Sequence, residues 1–141
     1  MMRKTPLRKK SVQSISLIQN KIWDCCKQIV RKKYVNKDGS WNCYTCNIRI
    51  THKSDAQTGH FIAKAACGAN LKYDLRNLRV QCMTCNIWKG GNGAIFYKNM
   101  VEREGQKYVD KIFRDKEKTV KAHDFYIELL EKYQKYAGEN L

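Results

Sequence analysis

Two Cys-x-x-Cys pairs constrain this chain more than any other feature of its sequence. The first pair is Cys43 and Cys46, and the second is Cys82 and Cys85. Each pair places two thiolates on one tight turn, and two such turns can close a tetrahedral site around zinc. Because a four-cysteine site leaves no coordination position open, we predict a structural zinc ion that joins two distant segments. Chemistry is then expected from residues that lie between the pairs or directly after them.

The charge of the chain points to a polyanionic partner. Lysine and arginine number 28 against 13 acidic residues, which gives a formal net charge of +15 over 141 residues. Nucleic acid is the leading candidate for a partner of a chain this basic. An anionic membrane surface is the alternative, but it requires a basic amphipathic helix or a lipidation motif, and the sequence has no clear case of either.

Cysteine usage and hydropathy favour a reducing compartment. The 7 cysteines are an odd number, no apolar run approaches a membrane span, and no signal-peptide core follows the basic start. We therefore expect a soluble, cytoplasmic protein whose paired cysteines bind metal rather than form disulfides.

Hydrophobic periodicity predicts helices at both ends of the chain and short strands between them. Apolar residues at spacings of three and four favour helices over residues 14–34 and 121–136, each with a stripe that faces the core. Residues 41–64 and 77–82 are typical of short strands, and residues 65–76 are typical of a loop. A short helix is expected directly after the second cysteine pair.

Three cysteines fall outside the two pairs. Neighbouring residues of a helix point about 100° apart, so Cys25 and Cys26 cannot share a face as a zinc pair would. We predict that both are small core residues and that Cys67 is a buried thiol in a loop.

The sequence divides into a basic arm and one larger domain. Residues 1–13 are predicted to form a flexible arm that either contacts phosphates or is a solvated tail. Residues 14–141 are predicted to form a single domain, with a core over about 41–93 and C-terminal helices over about 94–137. The cations of the arm are Arg3, Lys4, Arg8, Lys9 and Lys10.

His60, Asn77 and Asn86 follow one another between and directly after the cysteine pairs. Phosphodiester hydrolysis needs a base that activates water, a Lewis acid that neutralises the phosphate, and donors that hold the backbone in line. Two strands and a helix can supply these groups, with His60 as the base, Asn77 orienting it and Asn86 as a metal ligand. Lys89 lies one helical turn after Asn86 and is expected on the same face.

The pattern of these residues resembles that of HNH (ββα-metal) endonucleases, and more closely that of the phage NinG/Rap recombination endonucleases of the lambda type. The resemblance covers roughly residues 15–113. The matching residues are Gly59, His60, Phe61, Leu71, Asn77, Gln81, Cys82, Cys85, Asn86, Lys89, Gly91 and Asn92.

The resemblance implies an α+β fold in which a small zinc-bound ββα-metal (HNH) core is flanked by N-terminal and C-terminal helices. It implies a DNA endonuclease that uses Mg²⁺ or Mn²⁺ on branched recombination intermediates such as Holliday junctions and D-loops. It also implies that His60 is the general base, that Asn77 orients it, and that Asn86 binds the catalytic metal, with zinc on the paired cysteines. If the chain is phage-encoded, it would act in the cytoplasm of a bacterial host.

The catalytic-metal site departs from the family pattern. Many HNH sites carry an aspartate directly before the base, where this chain has Gly59, and the lambda-type pattern has one three residues before it, where this chain has Gln57. Neutral amides are weak ligands for Mg²⁺, because hard cations prefer carboxylates. The candidates for the second ligand are Gln57, Asp55, Asp74 and a substrate phosphate, with His52 as a ligand for a softer metal.

Further residues receive simpler assignments. Contacts with phosphates are predicted for Lys89, Arg76 and Arg79. Three aromatic residues are predicted to pack in the core rather than to stack on bases: Trp41, Trp88 and Tyr97. Two histidines are predicted to lie on the surface: His52 and His123.

Two other functions compete with a junction nuclease. A non-catalytic zinc-bound module that binds DNA or RNA explains the charge and the cysteines, but it leaves the order of His60, Asn77 and Asn86 as coincidence. An HNH nuclease that acts on duplex DNA keeps the chemistry and changes the substrate. Because a junction nuclease usually makes paired nicks, a two-fold homodimer is the expected assembly.

Overall fold

The computed structural model describes residues 14–116, Lys118 and residues 122–138. Within them the fold is α+β, with small sheets among the helices. The helices are α1 (Ile15–Tyr34), α2 (Ala69–Lys72), α3 (Gly93–Glu104), α4 (Gln106–Asp115) and α5 (Ala122–Gly138). The strands are β1 (Trp41–Asn42), β2 (Arg49–Ile50), β3 (Gln57–His60) and β4 (Leu78–Gln81). Three further short turns complete the elements, with 3₁₀ geometry at Lys53–Asp55 and Leu75–Asn77 and π-helical geometry at Thr84–Trp88.

Helix α1 forms where its sequence pattern predicts it. The Ser14 hydroxyl caps the helix by accepting a hydrogen bond from the Leu17 amide at 3.2 Å, and three cations occupy the last turn, where they suit the helix dipole. The apolar stripe of the helix is buried, and both Cys25 and Cys26 lie in it. Their predicted role as small core residues is therefore confirmed. Burial raises the pKa of the Cys26 thiol, as expected for a thiol among apolar groups.

The strands form two separate antiparallel pairs. Strand β1 pairs with β2, with Trp41 opposite Ile50, and β3 pairs with β4, with His60 opposite Leu78. The sequence predicted a longer extended stretch after His60. Backbone pairing continues for one more bond, from the Phe61 amide to the Asn77 carbonyl at 2.8 Å, and the next amide, that of Ile62, donates to the Asn77 side chain instead of to backbone.

The predicted loop over residues 65–76 contains regular structure. Helix α2 lies within it, and the Leu75–Asn77 turn follows. The Asp74 side chain caps that turn by accepting a hydrogen bond from the Arg76 amide at 2.9 Å. The loop prediction was wrong here because elements of three or four residues are too short to show a hydrophobic period.

Two apolar clusters hold the elements together. The first joins α1, the strands and α5, where the Tyr133 hydroxyl donates a hydrogen bond to the Tyr73 carbonyl at 2.6 Å. The second joins Tyr44, Phe61 and Leu71 to α3 and α4. The predicted core-facing stripe of α5 is confirmed, because Tyr126 and Tyr133 are buried and Phe125, Leu129 and Leu130 are partly buried. None of the described helices is long and apolar enough to cross a membrane.

Candidate active site and metal centre

The four paired cysteines meet in space as their spacing predicts. The Sγ atoms of Cys43, Cys46, Cys82 and Cys85 all lie within 4.8 Å of one another. The Sγ atoms of Cys46 and Cys82 are 3.7 Å apart. A tetrahedral zinc ion with Zn–S bonds of about 2.3 Å needs sulfurs about 3.8 Å apart. The cluster could therefore hold a structural metal such as zinc.

Hydrogen-bond donors of the two turns point at cysteine sulfurs and favour the thiolate form of Cys43, whereas burial raises the pKa of Cys46 and of Cys82. The Cys85 amide points at the Cys82 Sγ at 3.5 Å, and the Thr45 hydroxyl lies 3.3 Å from the Cys43 Sγ. Burial opposes ionisation of Cys43, but hydrogen bonds from neighbouring amides and from Thr45 lower its pKa to about 6. The first turn also requires Asn47 to adopt the left-handed conformation with φ of 63°, which asparagine tolerates.

His60 and Asn86 line one cleft. His60 ends strand β3, and Asn86 lies on the π-turn directly after Cys85. The cleft has a volume of about 300 Å³. Its lining residues are Trp23, Thr58, His60, Ala63, Lys64, Asn86, Gly90 and Gly91. The structure thus brings together two of the three residues that the sequence predicted to be catalytic.

The His60 ring is held by two contacts. Its Nε2 lies 2.8 Å from the Lys72 carbonyl, which can only accept a hydrogen bond, so Nε2 carries the proton. In the neutral ring Nδ1 is then the basic nitrogen. The ring also stacks on the Trp23 indole, with centroids 5.2 Å apart and 12° between the planes.

The surroundings of His60 keep it neutral. Burial lowers its pKa below the usual value, and the nearby charges of Lys64 and Lys72 act in the same direction. The hydrogen bond to the Lys72 carbonyl opposes this shift without reversing it. An imidazole with a lowered pKa is unprotonated near pH 7 and is therefore ready to accept a proton.

Asn77 supports this arrangement through the backbone. Its side chain is fully buried, and its Oδ1 accepts a hydrogen bond from the Ile62 amide at 2.7 Å. Its Nδ2 donates to the carbonyls of Ile62 and Leu71, each at 3.2 Å. These bonds hold Ile62 and Leu71, which are the two ends of the intervening segment. Leu71 is followed by Lys72, whose carbonyl accepts the hydrogen bond from His60. Among the described hydrogen bonds, the Asn77 side chain makes none to the His60 ring, so any influence of Asn77 on the ring passes through the backbone.

Asn86 is oriented by a second amide. Its Nδ2 donates a hydrogen bond to the Gln57 Oε1 at 2.9 Å, which leaves its own Oδ1 as the free acceptor. Thr58 lies beside these residues in the cleft. Its hydroxyl is buried and has no hydrogen-bond partner among the described groups, although a buried polar atom normally has one.

The charged candidates for the catalytic-metal site lie elsewhere. Asp74 is occupied by its ion pair with Arg76, at 2.7 Å, and Asp55 is exposed in the Lys53–Asp55 turn. Neither carboxylate, nor His52, is among the described residues that line the cleft. Because hard divalent cations prefer carboxylate ligands, the described lining residues alone do not complete a site for Mg²⁺ or Mn²⁺.

Packing explains why glycine precedes His60. A Cβ atom at Gly59 would lie 1.9 Å from the Gln81 Oε1, and the backbone of Gly59 is not left-handed, so the obstacle is steric. The Gln81 side chain is fully buried and donates hydrogen bonds to the Thr45 Oγ1 at 3.1 Å and to the Gly91 carbonyl at 2.9 Å. Gln81 thus joins the first cysteine turn to the cleft and occupies the space that an acidic residue at position 59 would need. Apart from the family pattern, no feature of the sequence indicated this role for Gln81.

The predicted phosphate contacts differ in their surroundings. Lys89 is exposed, as a phosphate contact requires. Arg76 is held by ion pairs with Asp74 and Asp115, at 2.7 and 2.8 Å. The basic arm lies outside the described residues. Lys64 was not predicted, and it lines the cleft.

Arg79 contradicts its predicted contact with DNA. Its side chain is only 2% exposed and donates to backbone carbonyls, the shortest bond being 2.8 Å to Leu78. The guanidinium also lies near the rings of Tyr34 and Tyr44, 5.5 and 5.4 Å from their centroids. The prediction for Arg79 was wrong because an arginine that is desolvated by carbonyls and aromatic rings looks, in sequence, like any surface arginine.

The aromatic and histidine predictions are confirmed in part. Trp41 is buried as predicted, and its indole donates to the Arg31 carbonyl at 2.9 Å. Trp88 is 79% exposed and Tyr97 is 42% exposed, so the core prediction was wrong for both. His52 is exposed as predicted, whereas His123 and Cys67 are partly buried.

Comparison with known proteins relates the chain to a family of phage proteins. The family model described as Bacteriophage Lambda NinG protein matches residues 2–139. The chain is 30% identical to protein ninG of Escherichia phage 933W over 105 residues, which is 74% of this chain and 51% of that protein. It is 30% identical to protein ninG of Salmonella phage P22 over 108 residues, 76% of this chain and 52% of that protein. For protein ninG of Escherichia phage lambda the identity is 29% over 105 residues, 74% of this chain and 50% of that protein. The chain thus spans about half the length of the curated relatives it matches, and no solved structure matches it significantly.

Proposed function

Because the chain belongs to the bacteriophage lambda NinG protein family, we propose that it is a metal-dependent DNA endonuclease that acts on branched recombination intermediates, such as Holliday junctions and D-loops. The observation that carries the proposal is the cleft in which a neutral His60, held by the Lys72 carbonyl, lies together with Asn86. A histidine held in one tautomer beside an oriented amide is suited to activating a water molecule.

In this proposal His60 acts as the general base. Its Nδ1 takes a proton from a water molecule as the water oxygen attacks phosphorus. A new P–O bond forms while the bond from phosphorus to the 3′ oxygen breaks, and that oxygen takes up a proton from solvent. The products are 5′-phosphate and 3′-hydroxyl ends.

The charges around the cleft favour a phosphate. Lys64 lines the cleft, and Lys72 is close enough to lower the pKa of His60. Between positions 56 and 101 the sequence has one acidic residue, Asp74, and its charge is compensated by Arg76. We propose that Lys64 and Lys89 contact the DNA backbone, with the cations of the basic arm as further phosphate contacts.

A divalent cation in the cleft would neutralise charge on the phosphate and on the leaving oxygen. The Asn86 Oδ1 is the candidate donor, with Gln57 holding it in place. Because the described lining residues lack a carboxylate, the negative ligands would come from the DNA phosphate. Calorimetry should then show that Mn²⁺ binds much more tightly to a complex of the protein with an uncleavable phosphorothioate junction than to the protein alone.

We further propose that β3, β4 and the π-turn correspond to the ββα-metal core of HNH nucleases. The hairpin and the turn carry His60, Asn77 and Asn86 in the order that the HNH pattern requires. A homodimer would place two such clefts on the two strands of a junction.

The shortage of carboxylates favours one alternative, a zinc-bound module that binds nucleic acid without cutting it.

A cleavage panel separates these possibilities. Labelled Holliday junction, fork, duplex and single-stranded DNA should be incubated with the protein and with Mg²⁺ or Mn²⁺. Preferred cutting of the branched DNA is expected. Equal cutting of duplex would indicate an HNH nuclease with a duplex target. Tight binding without cutting under every metal condition would replace the nuclease with the binding module.

A further inference from the structure

The π-turn presents three large apolar side chains to solvent. Trp88 is 79% exposed, Ile87 is 57% exposed and Met83 is 46% exposed. We call these three residues the Trp88 surface. A tryptophan normally buries most of its large ring, so an indole with this exposure is poorly accounted for by packing within the chain.

The Trp88 surface adjoins the cleft. In the chain Trp88 lies between Asn86 and Gly90, both of which line the cleft that contains His60. A molecule that occupies the cleft therefore contacts the same turn that carries the indole.

The turn that carries the indole is held firmly. The Lys89 amide donates to the Thr84 carbonyl at 2.8 Å, and the Gly91 amide donates to the Cys85 carbonyl at 2.9 Å. Cys85 belongs to the four-cysteine cluster. An aromatic ring on an ordered turn loses little conformational freedom when it binds a partner.

The charge next to the Trp88 surface selects among partners. Lys89 is exposed beside the indole, and no acidic residue occurs in the sequence between Leu75 and Val101. A second copy of this chain would bring another net charge of +15 towards the first. A polyanion that also offers flat apolar rings fits both the charge and the indole, and nucleic acid with unstacked bases has this combination.

We propose that the Trp88 surface binds an unpaired base of the DNA, with Trp88 stacked on the base while the neighbouring phosphate lies in the cleft. Ile87 and Met83 flank the indole and cover the edge of the nucleotide. Fully paired duplex keeps its bases stacked on one another, so the surface distinguishes DNA with a branch point from duplex. This inference rests on the proposed function for the choice of DNA as the ligand.

Binding without cleavage tests the proposal. Fluorescence anisotropy should measure the affinity of the zinc-loaded protein, without added Mg²⁺ or Mn²⁺, for a fork with unpaired nucleotides at its branch and for a duplex of equal length. Trp88→Ala should weaken binding to the fork by roughly 5- to 150-fold, the range expected for loss of one base stack. Trp88→Phe should retain most of the affinity, and duplex binding should not change. The salt dependence should also be unchanged, because no phosphate contact is lost.

Ile127→Ala provides the matched control, since this residue is an exposed apolar side chain on α5 that does not line the cleft. It should bind both DNAs like the parent protein. Unchanged fork binding in Trp88→Ala, or an equal loss on fork and duplex, would overturn the proposal. Dissociation of a dimer in Trp88→Ala, seen by analytical ultracentrifugation, would assign the surface to a second copy and overturn it as well. Because this assay needs no cleavage, a protein that never cuts DNA would refute the nuclease and leave the result for Trp88 readable.

Discussion

The imidazole of His60 lies on the indole of Trp23, with ring centroids 5.2 Å apart and planes 12° from parallel. Trp23 comes from α1, whereas His60 comes from β3. The N-terminal helix therefore forms part of the environment of the candidate base, and it covers one face of the ring that would otherwise contact water.

Removing that cover should change the titration of His60. Burial is the largest cause of its lowered pKa, so Trp23→Ala should raise the pKa towards the ordinary value of about 6.5. The acidic limb of the pH–rate profile reports protonation of the base, and it should move to higher pH in this variant. An NMR titration of the His60 ring protons should show the same direction without relying on activity. Trp23→Phe keeps an aromatic cover and should titrate close to the parent, whereas identical profiles for all three proteins would refute the effect.

His60→Ala tests the proposed base directly. Loss of a general base typically costs about 10²–10⁴ in rate, and cleavage of a junction should fall by that order. Zinc content and affinity for the junction should stay at the parental values, because the ring takes no part in the cysteine cluster. His123→Ala is the matched control and should cut normally. If His60→Ala cuts at the parental rate, His52 becomes the next candidate for the base.

Thr58→Val removes a hydroxyl and keeps the shape of the side chain. The Thr58 hydroxyl has no hydrogen-bond partner among the described groups, so its loss should leave the free energy of unfolding unchanged or slightly raised. The hydroxyl is buried, so it can contact the substrate phosphate only if DNA binding opens the cleft; in that case the cleavage rate should fall by roughly tenfold, in line with loss of a hydrogen bond to a charged group. Urea unfolding and junction cleavage, measured on the same preparation, decide the point. A stable variant with the parental rate would exclude Thr58 from the site.

The four-cysteine cluster should be coupled to folding. Cys82→Ser removes one ligand, and because zinc binding at such a site contributes folding free energy, the variant should lose zinc and cooperative thermal unfolding. Metal analysis and circular dichroism measure the two effects. Cys67→Ser is the control, since Cys67 lies outside the cluster. A folded parent protein without bound zinc would contradict the prediction.

Gly59 and Gln81 should show strong energetic coupling. Gly59→Ala places a Cβ atom 1.9 Å from the Gln81 Oε1 and should cost roughly 1–3 kcal/mol of stability, as overpacking usually does. In Gln81→Ala the space is free, so adding Gly59→Ala should then cost little. A double-mutant cycle from urea unfolding measures the difference, which should be on the order of 1 kcal/mol or more. Additive effects of the two substitutions would mean that the backbone accommodates the new side chain.

The sequence predicted what is encoded locally. Each cysteine pair lies on one short turn, two such pairs indicated a shared metal site, and α1 forms where the apolar spacing indicates it. The stack of Trp23 on His60 and the bond to the Lys72 carbonyl could not be predicted, because they join distant segments and one of them uses a backbone atom of a segment without visible periodicity. Arg79 was predicted at the surface and is buried, and Trp88 was predicted in the core and is exposed, for a related reason. Residue type alone does not show that carbonyls and tyrosine rings can bury a cation, or that a turn can expose an indole.

The hydrogen bonds of Asn77 separate the position of His60 from the sequence of the segment that follows it. By bonding to Ile62 and to Leu71, its side chain anchors both ends of the intervening segment to the strand hairpin. Ala63 and Lys64, directly after the first anchor, line the cleft, so the part of the segment that can vary without changing the cleft lining begins after Lys64. If the proposed nuclease activity holds, loops suited to different DNA shapes can be exchanged there while the candidate base keeps its position.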